Sequence, residues 1–308
     1  MAEEIIIGSH NFAEHCAEPV IDGERRSFGL VPRNYDTHPR GFYARIQAVD
    51  FPLIPRSEWP VRIAEKEAKK TRLSDIRMTG MFGAMIPSRD QNGRGYCWFH
   101  SGTSAMLLLR AVMNAPYADL SAYAGACIIK QFRDEGGWGA QGVDFQIERG
   151  IPTSEFWPQR SVDRANDNPK TWANAKLHRV EDGWIDLAVA QYDRKLSFEQ
   201  MITCLLQDVP VVSDFNWWSH SVCSIDAVNG ATDAYRSTMR ASSGKLFTLH
   251  EFNEIWGVDD EVTGGIGSRI LNSWGDVWSD NGMGLLAGSK AVPDGAVAPR
   301  ITTPSMAA

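Results

Sequence analysis

The sequence has no apolar run of the length that a bilayer crossing needs, which excludes a helical membrane span and a membrane partner. Nor has it a basic block long enough to follow a phosphate backbone. Lys66 to Arg72 is the densest, and it is interrupted, while the net charge of the chain is −7; a nucleic-acid partner is excluded. Cysteine is scarce, with five residues at positions 16, 97, 127, 204 and 223, odd in number and without metal-ligand spacing. A disulfide framework does not fit that count. His10, His15 and Cys16 lie close together, but no fourth ligand follows at usable spacing, so no metal and no cofactor is expected. Met1-Ala2-Glu3-Glu4 carries the wrong charge for a signal peptide.

What is present is enough for a sizeable core. The chain is 43% hydrophobic and 22% charged over 308 residues, which suits one large or two modest domains. Its most informative stretch runs from Asp90 to Ser101 and straight into Gly102 to Arg110. Gly93 and Gly95 loosen the backbone, and the apolar run after Cys97 has helical length and composition, so Cys97 is expected at a helix start. Unpaired amides and the positive end of the helix dipole favour a thiolate there, as a nucleophile requires. A lone cysteine before a helix is nonetheless more often an inert core residue.

Two later stretches shift that balance. Val211 to Val222 reads as a strand, a turn and a second strand opening at His220; Ile270 to Trp278 reads as a strand ending in a polar loop flanked by tryptophans. Gln91 six residues before Cys97-Trp98, then His220-Ser221-Val222, then Asn272-Ser273-Trp274-Gly275 with Trp278, occur in that order. In these residues the chain resembles the papain-like cysteine peptidases, over about residues 85 to 288. The resemblance implies an α+β, two-lobed fold: a helical lobe with a central helix, an antiparallel β-barrel-like lobe, and a cleft between them. It implies that Cys97, His220 and Asn272 are catalytic, with Gln91 and the Cys97 amide as oxyanion donors. Trp98, Trp274 and Trp278 would support them, and Gly136, Gly137, Trp138, Trp218 and Ser219 would meet a peptide or protein substrate.

The expected chemistry is acyl transfer through a Cys97–His220 thiolate–imidazolium pair, with Asn272 fixing the ring and Trp274 shielding that bond. His100, one turn into the same helix as Cys97, is a rival base that points alongside the nucleophile. The position three residues before Cys97, a bridge-forming cysteine in secreted members, is Arg94, and 133–139 contains no cysteine. A cytoplasmic or particle-associated location is therefore expected.

Along the chain, residues 1–50 read as an N-terminal arm or atypical prosegment, wrapped on the body and available to an assembly partner. Residues 51–84 read as a lead-in strand at Pro55–Pro60 and a charged helix from Val61 to Leu73. Residues 85–175 would form the helical lobe, with helices at Trp98 to Met113, Ser121 to Phe132 and Val143 to Glu148. Residues 176–288 would form the β-rich lobe, interrupted near 230–267 by an insertion expected on the cleft rim as a substrate filter, and 289–308 a loose or extended tail. Two other functions remain open: a structural component of a bacterial or viral particle that keeps the fold with little turnover, and an amidase or transpeptidase using the same acyl-enzyme.

Overall fold

The computed structural model describes residues 4–79, 85–179, 183–241 and 244–299. The arm supplies four short strands: β1 (Ile6–Ile7), β2 (Val20–Ile21), β3 (Glu24–Arg25) and β4 (Ile46–Gln47). β2 and β3 pair only with each other, around Asp22-Gly23, which both take positive φ as a two-residue hairpin turn requires. Where a lead-in strand was expected, Arg56–Glu58 forms a 3-10 turn that runs into helix α1 (Trp59–Lys69). Pro60 explains the difference, since proline in the first turn suits a helix start. Helix α2 (Leu73–Thr79) follows.

The helical lobe is built on α3 (Cys97–Val112), whose residues are almost all buried. Against it pack α4 (Ala122–Ile129) and α5 (Gly139–Arg149), the latter one turn longer at its start than its apolar spacing suggests. Helix α6 (Pro169–Ala175) is capped by Asn168, whose side chain accepts from the Lys170 and Thr171 amides.

The second lobe holds one eight-stranded sheet in the order β1-β9-β8-β7-β6-β10-β5-β4. Its remaining strands are β5 (Trp184–Asp186), β6 (Val211–Phe215), β7 (His220–Asn229), β8 (Ile266–Leu271), β9 (Met283–Leu286) and β10 (Gly295–Pro299). Helix α7 (Arg194–Leu206) covers one face, while α3 lies against β7 on the other, so apolar residues fill both faces. β6 is buried at every position and β7 at every position but Asn229, although Ser213, Asp214, His220, Ser221, Ser224 and Asp226 are polar.

Of the tail expected as loose or docked in extended form, Gly295–Pro299 is docked and extended, as an inner strand between β6 and β5; residues 300–308 lie outside the described residues. Two expectations change here. The arm is not merely wrapped on the surface, because β1 and β4 are the two edge strands of the sheet. The insertion is not on the cleft rim. It holds α8 (Asp233–Thr238) and α9 (Leu249–Trp256) and joins Asn229 of β7 to its pair Ile266 of β8. His220 begins β7 and Asn272 follows β8, so the insertion leaves the opposite end of the same hairpin, roughly 30 Å away at about 3.4 Å per residue. Phe252, Ile255 and Trp256 pack on Val228, Leu285 and Ile6, beneath the first strand of the arm.

Candidate active site

Cys97 is the first residue of α3, where the sequence predicts it, and is fully buried. His220 opens β7 after Ser219 turns the chain with a left-handed φ of 52°. Asn272 follows β8. The structure brings the last two together: Asn272 Oδ1 lies 2.7 Å from His220 Nε2. That contact requires a proton on Nε2 and leaves Nδ1 as the free nitrogen, which is buried and without a partner among the described residues. The Trp274 ring stacks on the imidazole at 4.7 Å and 25°, and Trp278 packs edge-on against Trp274 at 5.7 Å. Trp218 closes another side of His220 at 5.0 Å.

The Cys97 sulfur reaches the same region through the amide of Ser221, the residue after His220. Burial pushes the thiol up to about 12, with the Asp214 charge adding to it; the amides of Ser221, Trp98 and Gly29 pull the other way. Burial also pushes His220 down to about 4, against the Asn272 hydrogen bond. Burial thus disfavours a ready-made thiolate–imidazolium pair in this closed cleft. His100 sits at 2.9 Å from the Tyr96 carbonyl of its own turn and packs edge-on against Tyr123, as a core residue.

What closes the cleft is the arm. Gly29 and Leu30 donate their amides to the Ser219 carbonyl at 3.3 and 3.0 Å. Gly137 donates to the Gly29 carbonyl (2.9 Å) and accepts from Val31 (2.8 Å), forming a parallel bridge with Leu30. Gly137 thus pairs with a segment of the chain itself, where a substrate strand was expected. A Cβ on Gly136 would fall 2.5 Å from the Gly29 carbonyl oxygen, which explains the glycine. Gln91, expected to donate to an oxyanion, gives its Nε2 to the Ser27 carbonyl (2.7 Å) and to the Arg94 carbonyl (2.7 Å), while its Oε1 accepts from Ser273 (2.5 Å). Phe28 packs against His220 at 5.6 Å and Trp274 at 5.8 Å.

Other predicted residues support this arrangement. Trp98 is buried and donates to the Gly95 carbonyl at 3.0 Å, and Trp138 meets the arm through His38 at 5.1 Å. Three residues were not foreseen. Asp90, next to Gln91, binds Arg26 of the arm (2.9 Å) and Arg160 (2.5 Å). Asp214, facing Cys97 from β6, accepts from the Gly139 amide at the start of α5 (2.9 Å), and burial raises it to about 6. Ser221 bonds Ser101 at 2.9 Å, tying β7 to α3 below the sulfur. In sequence Asp90 was marked only as the neighbour of Gln91 and Ser221 only as a member of the His220-Ser221-Val222 motif, while nothing marked Asp214. All five cysteines are free. Among the described residues, no three metal-ligating side chains gather, and no helix is long and apolar enough to cross a membrane.

No family model matches the chain. Among solved structures it is similar to xylellain, a cysteine protease from Xylella fastidiosa, at 15% identity and TM-score 0.52, over 92% of this chain and 100% of that one. It is also similar to a structure from work on antibody cross-reactivity between the mite allergens Blo t 1 and Der p 1, at 15% identity and TM-score 0.51, over 95% and 92%. Identities this low speak for architecture alone, and that architecture, a central helix facing a sheet across a cleft, is the α+β papain-like fold.

Proposed function

We propose that this chain is a cysteine peptidase that hydrolyses peptide bonds through an acyl-enzyme on Cys97, and that its own arm holds it latent. The observation that carries the reading is the His220–Asn272 hydrogen bond under the Trp274 ring, with the second imidazole nitrogen left free. An imidazole held in one tautomer and one orientation is what a general base needs and what a packing histidine does not.

Once residues 26–31 leave the cleft, water enters, the desolvation that disfavours both charged forms is relieved, and the Cys97 proton passes to His220 Nδ1. The sulfur then adds to the substrate carbonyl carbon, whose oxygen takes the place of the Ser27 carbonyl at Gln91 Nε2, with the Cys97 amide as second donor. His220 returns the proton to the leaving amine, and afterwards takes one from the water that frees the acyl group. Gly137 and Ser219 offer the substrate backbone the same groups that now hold residues 29–31. A filled cleft also suits a particle component with no turnover.

The separating experiment is incubation of arm-released protein with a thiol-directed epoxide and with a peptide panel, wild type against Cys97→Ala. One epoxide on Cys97 and turnover that vanishes in Cys97→Ala are expected. Equal turnover by both proteins would remove the reading; labelling without turnover would leave the particle-component reading.

A further inference from the structure

The arm is fastened to the body at both ends and along residues 26–31, and stands exposed at the hairpin between. At its start, Leu285 and Ala287 of the β9 edge donate to the Ile5 and Ile7 carbonyls at 2.8 Å each. Glu4 forms a two-pronged pair with buried Arg269 (2.6 and 3.0 Å), the Trp218 indole donates to the His15 carbonyl (2.9 Å), and Lys290 lies 3.3 Å over the Phe12 ring. The insertion packs beneath Ile6. At its other end β4 extends the opposite edge through β5, and Arg33 pairs with Asp186 in the interior (3.1 and 2.9 Å). Between these anchors lies the β2–β3 hairpin, with Val20 69% exposed, Asp22 to Arg25 exposed and open space around Gly23. The cleft residues 26–31 come directly after it.

We propose that this hairpin is a processing site, and that one cut there opens the cleft while both pieces of the arm stay bound. The inference rests on the latent-peptidase reading above. The cut is a hydrolysis: one water is consumed, the peptide bond in the turn breaks, and a new carboxylate and a new ammonium remain. In the intact chain, residues 26–31 are a loop closed at both ends, and after any excursion they meet the cleft again at high effective concentration. After the cut they are a free chain end that must be ordered residue by residue to seat again, so the equilibrium moves towards the open cleft. The first piece keeps its sheet pairing and its ion pair, and the body keeps Arg33 and β4. Activation therefore yields a two-chain protein, not a shortened one.

The test is the full chain with the recognition sequence of an unrelated, site-specific endopeptidase inserted between Asp22 and Gly23. After cutting, the two pieces should elute as one species in size-exclusion chromatography, part only in denaturant, and show at least a tenfold faster epoxide uptake at Cys97. In an Ile6→Asp background the first piece should be shed while uptake stays fast. Shedding of the first piece from the protein with Ile6 intact, or unchanged uptake after a complete cut, would overturn the proposal. Fast uptake with no peptide turnover would uphold it and sink the peptidase reading instead, so the two fail separately.

Discussion

Gly29→Ala should open the cleft without any cut. Its Cβ would stand 2.2 Å from the Gly95 carbonyl oxygen and 2.3 Å from the carbonyl carbon, far inside contact distance. Gly95 cannot step aside as a side-chain tip could, because Asp134 holds its amide (2.8 Å) and the Trp98 indole holds its carbonyl (3.0 Å). The arm must give instead. Four backbone hydrogen bonds seat residues 29–31 on Ser219 and Gly137. At about 0.5–1.5 kcal/mol net apiece they supply about 2–6 kcal/mol, whereas an extra methyl in a packed site typically costs about 1–3 kcal/mol. A loss of about 2 kcal/mol from the seated state is about a thirtyfold gain in the open fraction. Epoxide uptake at Cys97 should quicken about ten- to hundredfold, read by peptide mapping because Cys16 is exposed and reacts on its own. Unchanged uptake together with unchanged hydrogen exchange through residues 26–31 would refute the close-approach reasoning. Faster exchange with unchanged uptake would instead mean that the arm does not shield the sulfur.

Arg33→Ala leaves the buried Asp186 carboxylate with the Gly41 amide but without its ion-pair partner, which should cost about 3–5 kcal/mol in denaturant unfolding; a loss under about 1 kcal/mol would contradict the buried pairing. Burial raises the Asp214 carboxyl to about 6, against the Ser221 hydroxyl, the Gly139 amide and Arg33, so the fold favours its protonated form. That contribution is complete below the usual carboxylate range and fades as pH rises through about 6. The Tm of Asp214→Asn relative to wild type should therefore increase from about pH 4 to about pH 7, and a constant difference would count against it. Asn272→Ala frees the His220 ring. Arm-released protein carrying it should lose roughly tenfold or more in kcat with little change in KM, whereas a purely structural role would lower Tm and leave kcat alone.

The parts of the site that local pattern specifies were legible: Cys97 before an apolar helical run, His220 after a strand and a turn, Asn272 at the end of another. The occupant of the cleft was not. Gly29 is a glycine because of Gly95, and Gly136 because of Gly29, contacts between segments far apart in the chain that no periodicity records. Without a regular element over residues 26–31, nothing in their order marks them as paired with Gly137. The burial that pushes the Cys97 thiol up and the His220 imidazole down is not legible for the same reason, since helix-start electrostatics are local and this burial is a matter of distant segments. Gly295–Pro299 was hidden by its alanines and prolines. Pro299 sits at the strand end, where a missing donor does no harm, and small residues suit a strand crowded on both sides. The place of the insertion could have been deduced, because a ten-residue strand opening at His220 carries its other end well away from the cleft.

The inner position of β10 bears on the order in which the protein can assemble as it is synthesised. In the sheet β5 and β6 are not neighbours; β10 lies between them, pairs with both, and follows both in the chain. Until β10 emerges, the β4–β5 pair has no partner in the rest of the sheet, and the second mooring of the arm has nothing fixed to tie to. A chain from which β10 has not yet emerged therefore lacks the second mooring of the arm, and β6, β7 and β8, which set the His220 imidazole and the Asn272 carboxamide in place, lack the neighbour that completes their sheet.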